Sequence, residues 1–280
     1  MEGRRKGLAD RLSTAFMVLL LIIGTGLFLY PTIGDMYNRH VASVAVKHED
    51  QAVQALSEDD IEEVFWEAEE YNRMVYENGL LRVSGMENDG YEDTLNVTGE
   101  GIMCSLNIPR IGIELPVYHG TSEEVLQSAA GHYHGSSLPC GGEDTHCIIT
   151  GHTGLTSAKL FTDLARLREG DMFFIKVLGE VHAYRVISVK VVLPYEMESL
   201  VIEPGRDLVT LVTCTPYGIN THRLLVTGER TRYERPDLAR ARAVSMDGYP
   251  LTFILIVSAV LIMAAVLMII IIRRRYGKKV

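Results

Sequence analysis

The chain has 280 residues with a hydrophobic share of 47% and a charged share of 22%. That ordinary globular balance excludes intrinsic disorder, and the uneven placement of the apolar residues excludes a purely soluble or multi-pass class. The formal net charge is −9, yet both ends are rich in Arg and Lys, so the middle is more acidic than the total suggests. Such a domain repels polyphosphates, and a nucleic-acid-binding role is excluded.

In chain order, residues 1–11 form a basic N-terminus. Residues 12–33 read as a membrane span, because the run Leu12–Tyr30 carries no charge inside and approaches the roughly 20 residues a helix needs to cross a bilayer. No small-x-small cleavage site follows it, which favours an uncleaved signal anchor over a removed leader. Residues 250–272 read as a second span, ending on Arg273-Arg274-Arg275, with a basic tail at 273–280. Basic residues flank the outer end of both runs, so the positive-inside rule places both termini in the cytoplasm and residues 34–249 outside.

Within that outside portion, residues 41–78 read as helix. Ile61, Val64, Phe65, Ala68, Tyr71 and Val75 recur at helical spacing, and Ser57 with Asp60 forms a capping-box pattern. Asn78-Gly79 ends it, and residues 80–100 read as a glycine-punctuated loop, so 34–100 is a juxtamembrane helical and loop region. From residue 101 to 232 short apolar runs alternate with turns: Leu106–Ile113, Cys147–Thr150, Met172–Val177, Ala183–Val192, Leu208–Thr213 and Leu224–Thr227. Glu123–Ala130 and Lys159–Arg168 read as the short helices between them. Many short strands with few helices predict a mainly-β barrel or sandwich, followed by a linker at 233–249.

Three residues at strand ends could carry chemistry. Cys214 ends an apolar strand and meets a Thr-Pro-Tyr-Gly turn, a place where a thiol is held yet reachable. His152, in Thr150-Gly-His-Thr-Gly154, sits just beyond another strand between two glycines and could carry protons for such a thiol. Arg223 opens the strand nine residues after Cys214, where a hairpin register can return a guanidinium to the thiol. Each also reads as ordinary structure: a buried cysteine, a loop histidine, a surface arginine. Cys140 and Cys147 flank a Gly-Gly turn, and outside the cell a disulfide between them would stabilise by about 2.5 kcal/mol. A zinc site from Cys140, His146, Cys147 and His152 is disfavoured, because the spacing is not compact and it would consume His152.

The run Thr210-Leu-Val-Thr-Cys-Thr-Pro-Tyr-Gly-Ile-Asn-Thr-His-Arg-Leu-Leu-Val-Thr-Gly-Glu-Arg230 resembles the active-site signature of sortases, the surface transpeptidases of Gram-positive bacteria. Leu115-Pro-Val-Tyr-His-Gly-Thr-Ser-Glu-Glu-Val-Leu126, Gly131-His132, Thr150-Gly-His-Thr-Gly154 and Ser157-Ala-Lys-Leu-Phe-Thr-Asp-Leu164 resemble the pilus-assembling class C type. The resemblance runs from about Tyr71 to Arg230. It implies an eight-stranded sortase β-barrel, with Cys214 as nucleophile, His152 as acid/base and Arg223 as oxyanion or thiolate partner. It implies Thr213, Thr215, His132 and Leu160 as substrate-binding residues, and no cofactor or metal. The implied partners are LPxTG-bearing pilin or surface proteins and an acceptor amine, either a pilin lysine or a cell-wall amine. An alternative from another class is a catalytically inactive membrane-tethered binding module. The chain departs from class C in lacking an Asp-Pro-aromatic lid motif; Leu80, Leu81, Val83 or Met86 would have to plug the groove instead.

Overall fold

The computed structural model describes residues 2–79, 90–196, 200–233 and Leu261. The second span at 250–272, the linker and the four candidate plug residues lie outside the described residues, Tyr233 and Leu261 excepted.

The N-terminal apolar run does not stop at its polar flank. It continues as one helix, α1 (Glu2–Ala55), with Pro31 inside it. Among the described residues this is the helix long and apolar enough to cross a membrane, and none of its apolar window is buried by protein. The expected helix over 41–78 is therefore two elements. The chain breaks at Leu56, and α2 (Glu58–Asn78) starts afresh on the Ser57–Asp60 capping box. Ser57 Oγ accepts from the Asp60 amide, and the Asp60 carboxylate accepts from the Ser57 amide. Gly79, at φ 87°, ends α2 as the Asn-Gly pair predicts. Ala68, Tyr71 and Val75 of its apolar stripe are buried against the barrel, while Trp66 points to solvent.

Eight strands follow: β1 (Ile102–Ile108), β2 (Ile113–Tyr118), β3 (Ala130–His132), β4 (Thr145–Thr150), β5 (Met172–Val177), β6 (Glu180–Val192), β7 (Asp207–Thr215) and β8 (His222–Thr231). They close into a barrel in the order β1-β2-β3-β4-β7-β8-β6-β5, with β5 returning to β1. Closure leaves no open sheet edge. Pairs β2/β3 and β4/β7 are parallel and the rest antiparallel. The apolar run Leu106–Ile113 is not one strand; Pro109 starts a tight turn that Gly112 closes at φ 63°, separating β1 from β2. Lys159–Arg168 is not a full helix either. Leu160 takes φ 36°, which no right-handed helix accommodates, and only Leu164–Arg166 forms a single 3-10 turn.

The core fills the barrel with Leu106, Phe161, Phe173, Ile175, Tyr184 and Leu211, all nearly inaccessible. Gly228 is required where β8 crosses this core: a Cβ there would lie 2.5 Å from the Phe173 ring. All four cysteines are free thiols, so the Cys140–Cys147 bridge is not made. The reason is the strand register. Thr145 begins β4 by pairing with Asp207 of β7, not with the segment before the Gly-Gly turn. Cys140 instead lies against Asn72 of α2, whose Nδ2 is 3.0 Å from its Sγ. The zinc alternative has no geometry to stand on, since His146 spends its ring on the Val201 carbonyl (2.7 Å) and Thr210 Oγ1 (2.7 Å).

Three buried histidines give the fold a predictable acid limit. Burial pushes the His132 imidazole down to about 3, and burial also lowers His146 and His182. The unfolded chain takes up these protons below about pH 6.5, while folded His132 refuses its proton until about pH 3. Stability is therefore full above the unfolded value and falls on acidification, by about 1.4 kcal/mol per pH unit for each histidine fully held neutral. Urea unfolding at about pH 7.5 and about pH 5 is expected to show a clearly lower midpoint in acid. An unchanged midpoint would mean these imidazoles are not held neutral.

Candidate active site

Strand register brings the three strand-end residues to one mouth of the barrel. In the antiparallel pair β7/β8, Cys214 lies directly opposite Arg223. In the parallel pair β4/β7, Thr150 is aligned with Val212. His152 is two residues past Thr150 and Cys214 two past Val212, so both emerge at the same level from neighbouring strands, which lie about 4.8 Å apart. The pairing extends beyond β4: the Gly151 amide donates to the Val212 carbonyl (3.1 Å), and Thr213 Oγ1 donates to the Gly151 carbonyl (2.7 Å).

The loop carrying His152 is seated on Phe161. The Phe161 amide donates to the His152 carbonyl at 3.0 Å, and its ring passes so close to Gly151 that a Cβ there would lie 2.8 Å away. Gly154, at φ 80°, lets the loop turn beneath the Tyr217 ring. Its amide is held by Thr162 Oγ1 at 3.1 Å. The imidazole Nε2 of His152 lies 3.4 Å from Glu123 Oε2. Glu123 opens the short helix α3 (Glu123–Leu126), which is capped by Ser122. Arg223 donates from Nη1 to the carbonyls of His222 (3.1 Å) and Asn220 (3.3 Å), and among the described residues no carboxylate neutralises it. Its charge is thus aimed by its own turn and left free at the mouth.

Cys214 is half-buried, in contrast to the other three thiols. Burial raises the Cys104 and Cys147 thiols far above their ordinary range and pushes Cys140 up to about 12. Those three are inert as nucleophiles on that ground.

Cys214, His152 and Arg223 border one groove of about 350 Å³. Its floor is apolar, made by Ile148, Val212, Leu225 and Leu200, a small core separate from the barrel interior. Val192, Leu193, Pro194 and Glu196 form one rim, and Thr121, Leu126 and Tyr133 the other. An apolar floor beside a thiol, a proton carrier and a fixed cation suits an extended peptide whose carbonyl is attacked at the groove's end.

Of the other sequence-based candidates, Thr213 lines this groove while its hydroxyl bonds Gly151. Thr215 closes β7 opposite His222 and is not part of the lining. His132 and Leu160 are not at the groove. His132 is fully buried, with Nε2 on the Ser137 carbonyl (2.9 Å) and Nδ1 on the Tyr91 hydroxyl (3.0 Å). Leu160 is packed in the core. Both follow well-formed motifs, but a motif does not reveal which way its side chain faces. Glu123 and the rim at 192–196 were missed; the Ser-x-x-type helix start at Ser122 was the available signal for the former.

Gly151 offers a test of this placement. Gly151→Ala is expected to displace the His152 loop from Phe161 while the barrel stays folded. A shift on the order of 1 Å at a reacting group costs roughly 10²-fold in rate. Comparing acyl-enzyme formation rates with far-ultraviolet dichroism checks it; wild-type rates would mean that Phe161 does not hold the loop in place.

The family model for the sortase domain matches residues 106–231. Sortase A from Bacillus anthracis is 24% identical over 222 residues, 79% of this chain and 95% of that protein. Among solved structures, sortase C1 from Streptococcus agalactiae is 42% identical with a TM-score of 0.65, covering 68% of this chain and 99% of that one. Streptococcus pneumoniae sortase C is 39% identical with a TM-score of 0.61, covering 68% of this chain and 97% of that one.

Proposed function

Since the chain belongs to the sortase family of cysteine transpeptidases, with strong structural likeness to class C members, we propose that it joins pilin subunits, cleaving an LPxTG-like sorting signal between Thr and Gly. The solved structure of Streptococcus pneumoniae sortase C bears on pilin substrate specificity in that enzyme, which supports this substrate class. The observation that carries the reading is the single groove bordered by Cys214, His152 and Arg223 beside an apolar floor.

The Cys214 thiolate attacks the Thr carbonyl carbon, forming the C–S bond and placing negative charge on oxygen. Arg223, aimed by its own turn and with no carboxylate partner among the described residues, stabilises that oxygen. The intermediate collapses by breaking the C–N bond, and the departing Gly amine takes its proton from His152. A lysine amine then attacks the thioester and gives a proton back to His152, and the thiolate leaves as the isopeptide bond forms. Acylation exchanges the C–N bond for C–S and transfer exchanges C–S for a new C–N bond, each moving one proton through His152, so no cofactor enters. The apolar floor formed by Ile148, Leu200, Val212 and Leu225 receives the aliphatic side chain that begins the signal.

The enzyme is held at the outer face of the membrane by residues 12–33, and the second span at 250–272 makes it two-pass with both termini cytoplasmic. Support for this topology is the apolar length of α1 and the basic flanks of both runs.

The test is product partition. The full chain in detergent is given an LPxTG peptide together with a lysine-bearing pilin fragment or a wall-type glycine amine, and the products are weighed by mass spectrometry. An isopeptide product on the pilin lysine is expected to dominate. Discharge by the wall-type amine alone would replace polymerisation with attachment of surface proteins to the cell-wall precursor. Turnover of neither would leave a binding module.

A further inference from the structure

The barrel is fixed to α1 at two levels, and these levels set which end of it faces the membrane. At the first, Asn38 Nδ2 donates to the Ser157 carbonyl (2.7 Å), and Asp35 Oδ1 accepts from the Lys159 amide (2.8 Å). Gly34 comes so close that a Cβ would lie 3.0 Å from the Ser157 oxygen. Ser157 and Lys159 belong to the loop that leaves His152 and returns at Phe161. At the second level, Asp50 pairs with Lys176 (2.6 Å) and Val53 packs on Gly179 in the turn between β5 and β6.

That β5–β6 turn lies at the barrel end opposite the groove. The β6/β8 register pairs Val192 with Arg223 at the groove end and Ala183 with Thr231 at the other. From Gly34 to Val53 the helix rises roughly 28 Å at about 1.5 Å per residue. The nine residues of β7 span about the same length, roughly 30 Å. Helix α1 thus runs along the barrel from the catalytic mouth to the far end. The apolar run precedes Gly34, and a bend at Pro31 would tilt this order without reversing it.

Two further features mark the same level. Tyr30 and Tyr37, two turns apart on one face of α1, are exposed at 57% and 67%, the position and residue type of an interfacial aromatic belt. Tyr217 and Ile219, in the turn after Cys214, are exposed at 64% and 67%, and Tyr217 lies against Gly154 of the loop seated on α1. We infer that the Tyr217–Ile219 turn is a lipid-contacting surface: it rests in the interfacial layer of the bilayer, so that the catalytic groove opens at the membrane surface and not away from it. The inference rests on the reading of residues 12–33 as a membrane span.

The single tryptophan supplies a built-in control. Trp66 is exposed on α2, whose Phe65 and Glu69 border a surface groove with Glu180, His182 and Asp207 at the far end of the barrel. The full chain is reconstituted in phosphatidylcholine vesicles with or without brominated acyl chains, which quench indole fluorescence on contact. Tyr217→Trp and Ile219→Trp are each made with Trp66→Phe, and Phe28→Trp with Trp66→Phe reports on the span. Emission at 217 and 219 is expected to fall about twofold or more in brominated lipid, as for a group seated in the headgroup boundary. Native Trp66 is expected to keep its emission. Quenching at 28 with 217 and 219 as bright as Trp66 would overturn the inference and leave the turn facing water or a protein partner. No quenching at 28 would instead overturn the span beneath it. Equal quenching at 66 and 217 would overturn the orientation.

Discussion

Replacing Cys214 by alanine is expected to lower transpeptidation by about 10⁴-fold or more, because no other group can form the thioester. The three remaining thiols cannot substitute: Cys104, Cys140 and Cys147 are buried, and burial holds each in its protonated form. Stability is expected to change little, since Cys214 is half-buried at a strand end where truncation opens no enclosed cavity. Turnover of an LPxTG peptide, measured beside the urea midpoint, checks both halves. Residual activity within tenfold of wild type would move the nucleophile elsewhere.

The second large effect is at Arg223. Arg223→Ala is expected to cost on the order of 10²–10³ in kcat, the usual loss when a donor to a developing oxyanion is removed. KM is expected to change far less, because the interaction forms fully only when charge appears on the substrate oxygen. Arg223→Lys should recover only part of the loss. A lysine keeps the charge but lacks the planar fork that donates to the Asn220 and His222 carbonyls and is aimed by them. A rise in KM with unchanged kcat would make Arg223 a binding residue only.

Much of this site was legible because strand ends are legible. Met172–Val177 matches β5 residue for residue, since a short apolar run bounded by turn residues has few other uses. The nine-residue interval from Cys214 to Arg223 fits a hairpin, and the register of β7 on β8 sets the two opposite each other. The strands β2 and β3 were not legible as elements. Strand β2 includes Pro116 and follows β1 with only a four-residue turn between, and β3 has three residues, too few for any period to appear. Strand β3 is placed by parallel pairing with β2 and antiparallel pairing with β4, nonlocal contacts that local pattern does not encode.

Side-chain direction was the other blind spot. His132 sits in a motif beside the groove, yet its ring faces inward to Tyr91 and Ser137, and Leu160 turns into the core at a left-handed backbone position. Glu123 escaped notice for the opposite reason: the Ser122 helix start marks where its helix begins but not what it faces, and only the fold brings it to His152, twenty-nine positions later.

The most direct measurement is to trap the acyl enzyme on the full chain with an LPxTG peptide and no acceptor amine, digest it, and locate the added mass by tandem mass spectrometry. A thioester through the Thr carbonyl is expected on the fragment carrying Cys214, with the Gly-containing remainder released. An adduct on Cys104, Cys140 or Cys147, or release of the Gly fragment with no adduct on any cysteine, would contradict the assignment of Cys214 as nucleophile.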